Sequence, residues 1–183
     1  MKRTALIVLV TVLSVSGTAD AYRRRHFGGQ SNYQSNGIFG LGLELVEPTG
    51  VTGKLFLTPS QALDFGVGDL YHNYYVPGDG VHLYVDYLWH PFLITEVPAF
   101  KLPFYIGIGG RAWFGDYNCG AGPDCGADFF GFRVPIGVTF DFNEVPLDVF
   151  IQLVPTLDFY HDYAGRDVYF DVDFSLGIRY WFS

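Results

Sequence analysis

The sequence predicts an all-β chain: an eight-stranded antiparallel up-and-down transmembrane β-barrel preceded by a cleavable signal peptide. Three observations lead there. The C-terminal stretch Asp167–Phe182 alternates throughout, with Val168, Phe170, Val172, Phe174, Leu176, Ile178, Tyr180 and Phe182 in one set. Tyr169, Asp171, Asp173, Ser175, Gly177, Arg179 and Trp181 form the other. Side chains on a strand point to opposite faces with period two, so this is one long two-faced strand. It exceeds the ~5–6 residues usual in a globular sheet and suits a tilted membrane crossing of roughly 9–11 residues. Second, hydrophobic residues make up 49% of the chain and aromatics 19%, yet they are interleaved with polar residues after residue 20. Interleaving is the pattern of a membrane barrel and not of a spanning helix. Third, the first 21 residues carry the marks of export.

Met1-Lys2-Arg3 supplies a charged start, Ala5 to Val15 a short apolar run, and Ala19-Asp20-Ala21 an A-x-A cleavage site. Removing residues 1–21 takes away Lys2, Arg3 and Asp20 and moves the formal charge from -8 to -9. An acidic excess of this kind excludes a general nucleic-acid binder, which needs a basic face. Residues 22–36 (YRRRHFGGQSNYQSN) are polar and lack periodicity, so they read as a flexible N-terminal tether before a barrel domain at 37–183. The run Arg23-Arg24-Arg25 within the tether reads as solvated charge.

Eight alternating segments follow. Ile38–Glu47 sets Phe39, Leu41, Leu43 and Leu45 against Gly40, Gly42 and Glu44, and Pro48-Thr49-Gly50 turns. Val51–Thr58 sets Val51, Leu55 and Leu57 against Thr52, Lys54 and Thr58, with Phe56 out of pattern. After Pro59-Ser60, Gln61–Leu70 opposes Leu63, Phe65 and Val67 to Asp64, Gly66 and Gly68. A loop at His72–Gly80 precedes a strand with Val81, Leu83, Val85, Tyr87 and Trp89 on one face and His82, Tyr84, Asp86 and His90 on the other. His90–Lys101, with two prolines, reads as an irregular connection. Leu102–Phe114 sets Leu102, Phe104, Ile106 and Ile108 against Tyr105, Gly107, Gly109 and Arg111, and the longest loop, Gly115–Ala127, holds both cysteines. Asp128–Phe142 sets Phe130, Phe132, Val134, Ile136, Val138, Phe140 and Phe142 against Gly131, Arg133, Gly137, Thr139 and Asp141. Leu147–Tyr160 sets Leu147, Val149, Ile151, Leu153, Leu157 and Phe159 against Asp148, Gln152, Thr156 and Asp158. Short connections give an up-and-down order, which closure frees of exposed edges.

Alternation alone leaves open which face is inside. The polar face is rich in glycine (Gly40, Gly42, Gly66, Gly68, Gly107, Gly109, Gly131, Gly137, Gly177), as the crowded interior of an eight-stranded barrel requires. The same face carries both signs of charge: Glu44, Lys54, Asp64, Asp86, Arg111, Arg133, Asp171, Asp173 and Arg179. Inside a barrel these form a lumen charge network, because isolated buried charges are very costly. Aromatics gather at strand ends (Tyr87 and Trp89; Trp113 and Phe114; Phe140 and Phe142; Tyr180, Trp181 and Phe182), as interfacial girdles do. The alternative is a soluble, lipocalin-like barrel with its apolar face turned inward around an apolar ligand.

The pattern over residues 37–183, and most of all the ending Leu176-Gly177-Ile178-Arg179-Tyr180-Trp181-Phe182, resembles the small eight-stranded outer-membrane barrels of Gram-negative bacteria, of the OmpA-barrel and OmpX type. The resemblance implies a C-terminal signal, here Tyr180 and Phe182, read by the barrel-assembly machinery. Ser183 after the aromatic departs from that pattern. It also implies outer-membrane location, lipid as a partner, both termini in the periplasm, and outward loops at Tyr71–Gly80, Asp116–Asp128 and Tyr160–Asp167.

Little in the sequence argues for chemistry. Ser175 is the one serine inside an expected strand, and that strand lies across the ring from the one holding His82 and His90. Nucleophilic catalysis needs a base beside the nucleophile, so no enzyme is expected. Export makes a disulfide between Cys119 and Cys125 reasonable, worth roughly 2 kcal/mol by loop entropy. Asp116, Asn118, Asp124 and Asp128 offer oxygen atoms, but their spacing fits no known calcium loop. No cofactor or metal is expected. The resulting expectation is a non-enzymatic envelope protein that is structural or presents its loops to a surface partner. A low-conductance pore is the runner-up.

Overall fold

A computed structural model describes residues 33–69, 78–117, 125–162 and 165–182. Nine strands run β1 Phe39–Val46, β2 Thr49–Thr58, β3 Gln61–Asp69, β4 Gly78–Glu96, β5 Phe100–Tyr117, β6 Cys125–Arg133, β7 Ile136–Phe142, β8 Leu147–Asp162 and β9 Gly165–Phe182. Every pairing is antiparallel. Sequence neighbours pair from β1 to β5, both β6 and β7 lie between β5 and β8, and β9 returns to β1. The pairings therefore close on themselves into an all-β, up-and-down ring. Among the described residues no helix is long and apolar enough to cross a membrane.

Nine strands replace the expected eight because Asp128–Phe142 is broken at Val134-Pro135. Proline has no N–H to donate to a ladder. Its carbonyl instead accepts from Gly107 N at 2.8 Å, and Val134 N donates to Pro155 O at 2.9 Å, so β6 and β7 together occupy one wall. The irregular connection expected over His90–Lys101 is corrected in the other direction. Strand β4 continues to Glu96, Pro91 falls in a register shift between Trp89 and Phe92, and only 97–99 turn. A bulge absorbs the missing donor there without ending the strand.

The apolar set faces outward. Leu43 is 59% exposed, Ile108 63%, Phe132 61% and Phe170 69%, whereas Glu44, Asp86, Arg133 and Arg179 are at most 1% exposed. That is the reverse of the lipocalin-like alternative. Phe56, out of pattern in the sequence, shares its inward parity with Thr52 and Lys54 and is buried. Two expected girdle residues are corrected: Trp113 and Trp181 are buried inside, on the same parity as Arg111 and Arg179. The outward aromatics include Tyr87, Trp89, Phe114, Tyr180 and Phe182.

Residues 33–36, expected in the tether, are also placed differently. Tyr33 is buried against Phe56 and His90, with ring centroids 5.9 and 5.3 Å apart. The rest of the tether lies outside the described residues, as do Cys119, Asn118, Asp124 and most of each long loop. Cys125 begins β6, so the expected disulfide cannot be placed within them.

The inward glycines explain how large side chains fit. Neighbouring strands are about 4.8 Å apart, so strands on either side of a third are about 10 Å apart and long side chains meet only above a residue without one. Gly66 stands in register between Thr52 and Tyr84, whose hydroxyls are 3.0 Å apart. Gly137 stands between Tyr105 and Gln152, and Tyr105 Oη donates to Gln152 Oε1 at 3.0 Å. A methyl group on Gly137 would lie 2.5 Å from Tyr105 Oη. Gly109 and Gly110 give a direct test, since a side chain on Gly109 meets Asp86 and the β4 backbone while one on Gly110 has only ordinary contact, 3.6 Å from Gly131 O. Gly109→Val is expected to abolish most refolding into detergent micelles and Gly110→Val to refold like the parent, read as the folded fraction on an unheated gel.

Candidate functional site

Three arginines organise the interior. Arg111, on β5, is aligned with Gly131 of β6, which is aligned in turn with Asp158 of β8. Across that gap Arg111 Nε donates to Asp158 Oδ1 at 2.8 Å, and Nη2 donates to Asp158 Oδ2 and, at 2.9 Å, to Thr156 Oγ1. Its Nη1 donates to Asp173. Arg133 and Asp86 are likewise aligned on either side of Gly109, with Nε 3.0 Å from Oδ2. Their alignment makes this a charge contact and not a hydrogen bond, and the Arg133 guanidinium lies 4.0 Å from the centre of the Tyr84 ring. Arg179 is opposite Asp148 on β8, donating from Nε to Oδ1 at 3.1 Å. From Nη1 it reaches past Gly42 of β1 to Asp64 of β3, at 2.7 Å.

Of the three remaining predicted members, Glu44 and Lys54 are held by other partners. Glu44 accepts from Tyr84 Oη at 2.6 Å and from Gln152 Nε2 at 3.0 Å, and Gln152 also donates to Ser175 Oγ at 2.8 Å. Ser175 thus belongs to a hydrogen-bond chain with Gln152. Lys54 Nζ lies 2.9 Å from His90 Nε2 and over the Phe56 and Tyr105 rings at 5.2 and 4.8 Å. Eight of the nine predicted charges are therefore buried inside the ring. Asp171 is not among them: it is half-buried, and its carboxylate accepts from Val172 N at 2.8 Å. Turned toward the adjacent backbone N–H, the half-buried carboxylate is spared full desolvation.

Sequence reasoning did not put Asp148 and Asp158 in the network. The signal was available, since both sit on the polar parity of their segment. Their partners were hidden because the pairing depends on which strands meet around the ring. Among the described residues no three His, Cys, Asp or Glu groups are placed to hold a metal ion. At the C-terminal end Tyr180 and Phe182 face outward, with ring centroids 5.2 Å apart, and Phe182 stacks on Phe39 at 5.9 Å.

Buried ion pairs contribute little net stability, yet removing one partner is strongly destabilising because a charge is left alone. Arg179→Gln strands both Asp64 and Asp148 and is expected to cost roughly 3–5 kcal/mol. Arg133→Gln strands Asp86 alone and should cost less. Thermal unfolding in detergent, followed by gel mobility, measures both, and unchanged melting of the two variants would remove the network as a stability element.

The fold is similar to the crystal structure of the N-terminal beta-barrel domain of Pseudomonas aeruginosa OprF, at a TM-score of 0.50 and 15% sequence identity, covering 80% of this chain and 97% of that one. A likeness at this identity concerns the fold alone. No curated protein matches the sequence. Residues 30–183 match the family described as protein of unknown function (DUF3996). The match takes in every strand of the ring and its buried charges, and the chain belongs to that family.

Proposed function

We propose that the protein is a non-enzymatic β-barrel of the bacterial outer membrane, structural in role or presenting its outer loops to a surface partner. The outward apolar belt carries this reading. Leu43, Val85, Ile108, Phe132, Phe170 and their neighbours stay exposed around the ring while acids and arginines are enclosed. Contiguous exposed apolar surface of this extent marks an interaction site, and for a belt around a closed ring acyl chains are the fitting surroundings. A bilayer core of roughly 30 Å needs about 9–11 residues per tilted strand, which β4, β5, β8 and β9 exceed. A barrel-shaped neighbour agrees with this reading without deciding it.

The remaining assignments belong to the same proposal. A cleavable signal at 1–21 exports the chain, and the outward Tyr180 and Phe182 are what the assembly machinery reads. The strand ends Asp69, Gly78, Tyr117, Cys125, Asp162 and Gly165 lie opposite the end where Phe39 pairs with Phe182, and the segments that join them are the ones offered to a surface partner. Asp64, Arg179 and Asp148 cross the interior, and Trp113 stacks on Phe129 at 5.7 Å toward the loop end. Among the described residues, ion pairs and stacked aromatics occupy the interior, which weighs against the pore reading.

Membrane fractions should contain the protein, extracted only by detergent and migrating differently on a gel before and after boiling. Recovery in solution without detergent overturns the proposal. In planar bilayers the folded protein is expected to be silent, and steady single-channel steps would favour the pore instead.

A further inference from the structure

The end of the ring where Phe39 pairs with Phe182 is closed by chain that the ring itself does not need. Strand β1 is paired on both sides from Phe39 onward, yet residues 33–37 fold back across the opening. Tyr33 enters an apolar cluster with Phe56, Ala62, Leu88, Tyr105 and Trp181. The segment carries no strand ladder, and its side-chain ties gather on one place. Tyr33 Oη donates to Asp141 Oδ2 at 3.1 Å, Asn36 N to the same oxygen at 3.3 Å, and Asn36 Nδ2 to Asp141 Oδ1 at 3.1 Å. Asn36 also donates to Phe142 O at 2.9 Å, and Lys101 Nζ donates to Gln34 O and Asn36 Oδ1 at 3.0 and 2.9 Å. Burial, with the Asp141 carboxylate beside it, pushes the Tyr33 phenol well above its ordinary value, so it remains a donor.

Behind Tyr33 lies a pair of groups that the charge network does not use. Lys54 and His90 are both at most 1% exposed, 2.9 Å apart, and no carboxylate is within ion-pair distance of Lys54 among the described residues. Tyr33 and Phe56 cover the His90 ring, at 5.3 and 5.1 Å.

We propose that residues 33–37 are a releasable stopper, latched on Asp141, that shuts water and solutes away from the Lys54–His90 pair at the terminal end of the ring. Release breaks these ties and undocks the Tyr33 ring, and it leaves every strand pairing intact. A segment held this way opens locally at far lower cost than the ring unfolds. The chamber it uncovers combines an amine, an imidazole and the faces of Phe56, Tyr105 and Trp181. The device stands independently of the membrane reading, since it concerns the interior alone.

Amine labelling tests it, because Lys2, Lys54 and Lys101 are the only lysines of the chain. The full chain, refolded in detergent micelles, is treated with the water-soluble acylating reagent sulfosuccinimidyl acetate, and each lysine is followed by peptide mass spectrometry. In the parent, Lys101 should react and Lys54 should be spared. Tyr33→Ala should raise the Lys54 rate by roughly tenfold or more, the loss of one hydrogen bond to a charged group being enough for that factor. Asp141→Asn, which leaves the packing in place and weakens the latch, should give a smaller rise and decides the matter if Tyr33→Ala does not refold. A rise in either variant that keeps folded gel mobility supports the stopper. Lys54 reacting as fast as Lys101 in the parent, or staying spared in every folded variant, overturns it.

Discussion

Charges can leave water only in company, and here the company is found across glycines. Arg111 and Asp158 meet above Gly131, and Arg133 and Asp86 above Gly109, because strands on either side of a third are too far apart for short side chains to touch. Where the intervening residue has no side chain, two long ones converge, and the desolvation of each is offset by the other. The same geometry joins Thr52 to Tyr84 above Gly66 and Tyr105 to Gln152 above Gly137. Closure of the ring and enclosure of its charges are therefore one condition: the glycines make room for the pairs, and the pairs make the polar interior tolerable.

The apolar exterior follows from that interior. With period two, every residue that points in sends its neighbours out, so a strand that delivers Asp148, Gln152 and Asp158 to the network must present Val149, Ile151, Leu153, Leu157 and Phe159 to the surroundings. Water is a poor medium for such a belt and acyl chains a good one. The membrane reading and the ion-pair network are two sides of a single pleat. The network also imposes specificity, since a one-residue slip in any strand would exchange its charges for leucines and phenylalanines.

The two ends of the interior are finished with aromatics. Trp113 and Phe129 stack toward the loop end, while Tyr33, Phe56, Tyr105 and Trp181 fill the terminal end. One of these, Tyr33, comes from outside the strands and is held by side-chain bonds and not by a ladder. That difference separates a permanent wall from a part that can be withdrawn.

Much of this was legible in the sequence, because strand parity is a local property. Alternation in Asp167–Phe182 assigned each residue to a face, glycine and charge content marked the inner one, and the exceptional Phe56 kept the parity of Thr52 and Lys54 that the structure turns inward. Parity also placed Trp113 and Trp181 inside, and reading them as girdle residues from their position near strand ends overrode a better signal. Where a break lies was less legible: Pro135 interrupts a wall and Pro91 does not, and the difference rests on which neighbours supply replacement bonds. Docking of Tyr33 could not be read from a polar, aperiodic stretch. Which acid meets which arginine was decided only by tertiary structure. The stagger with which strands close a ring brings β9 within reach of β3 and β5 within reach of β9, and no pattern confined to one strand contains that stagger.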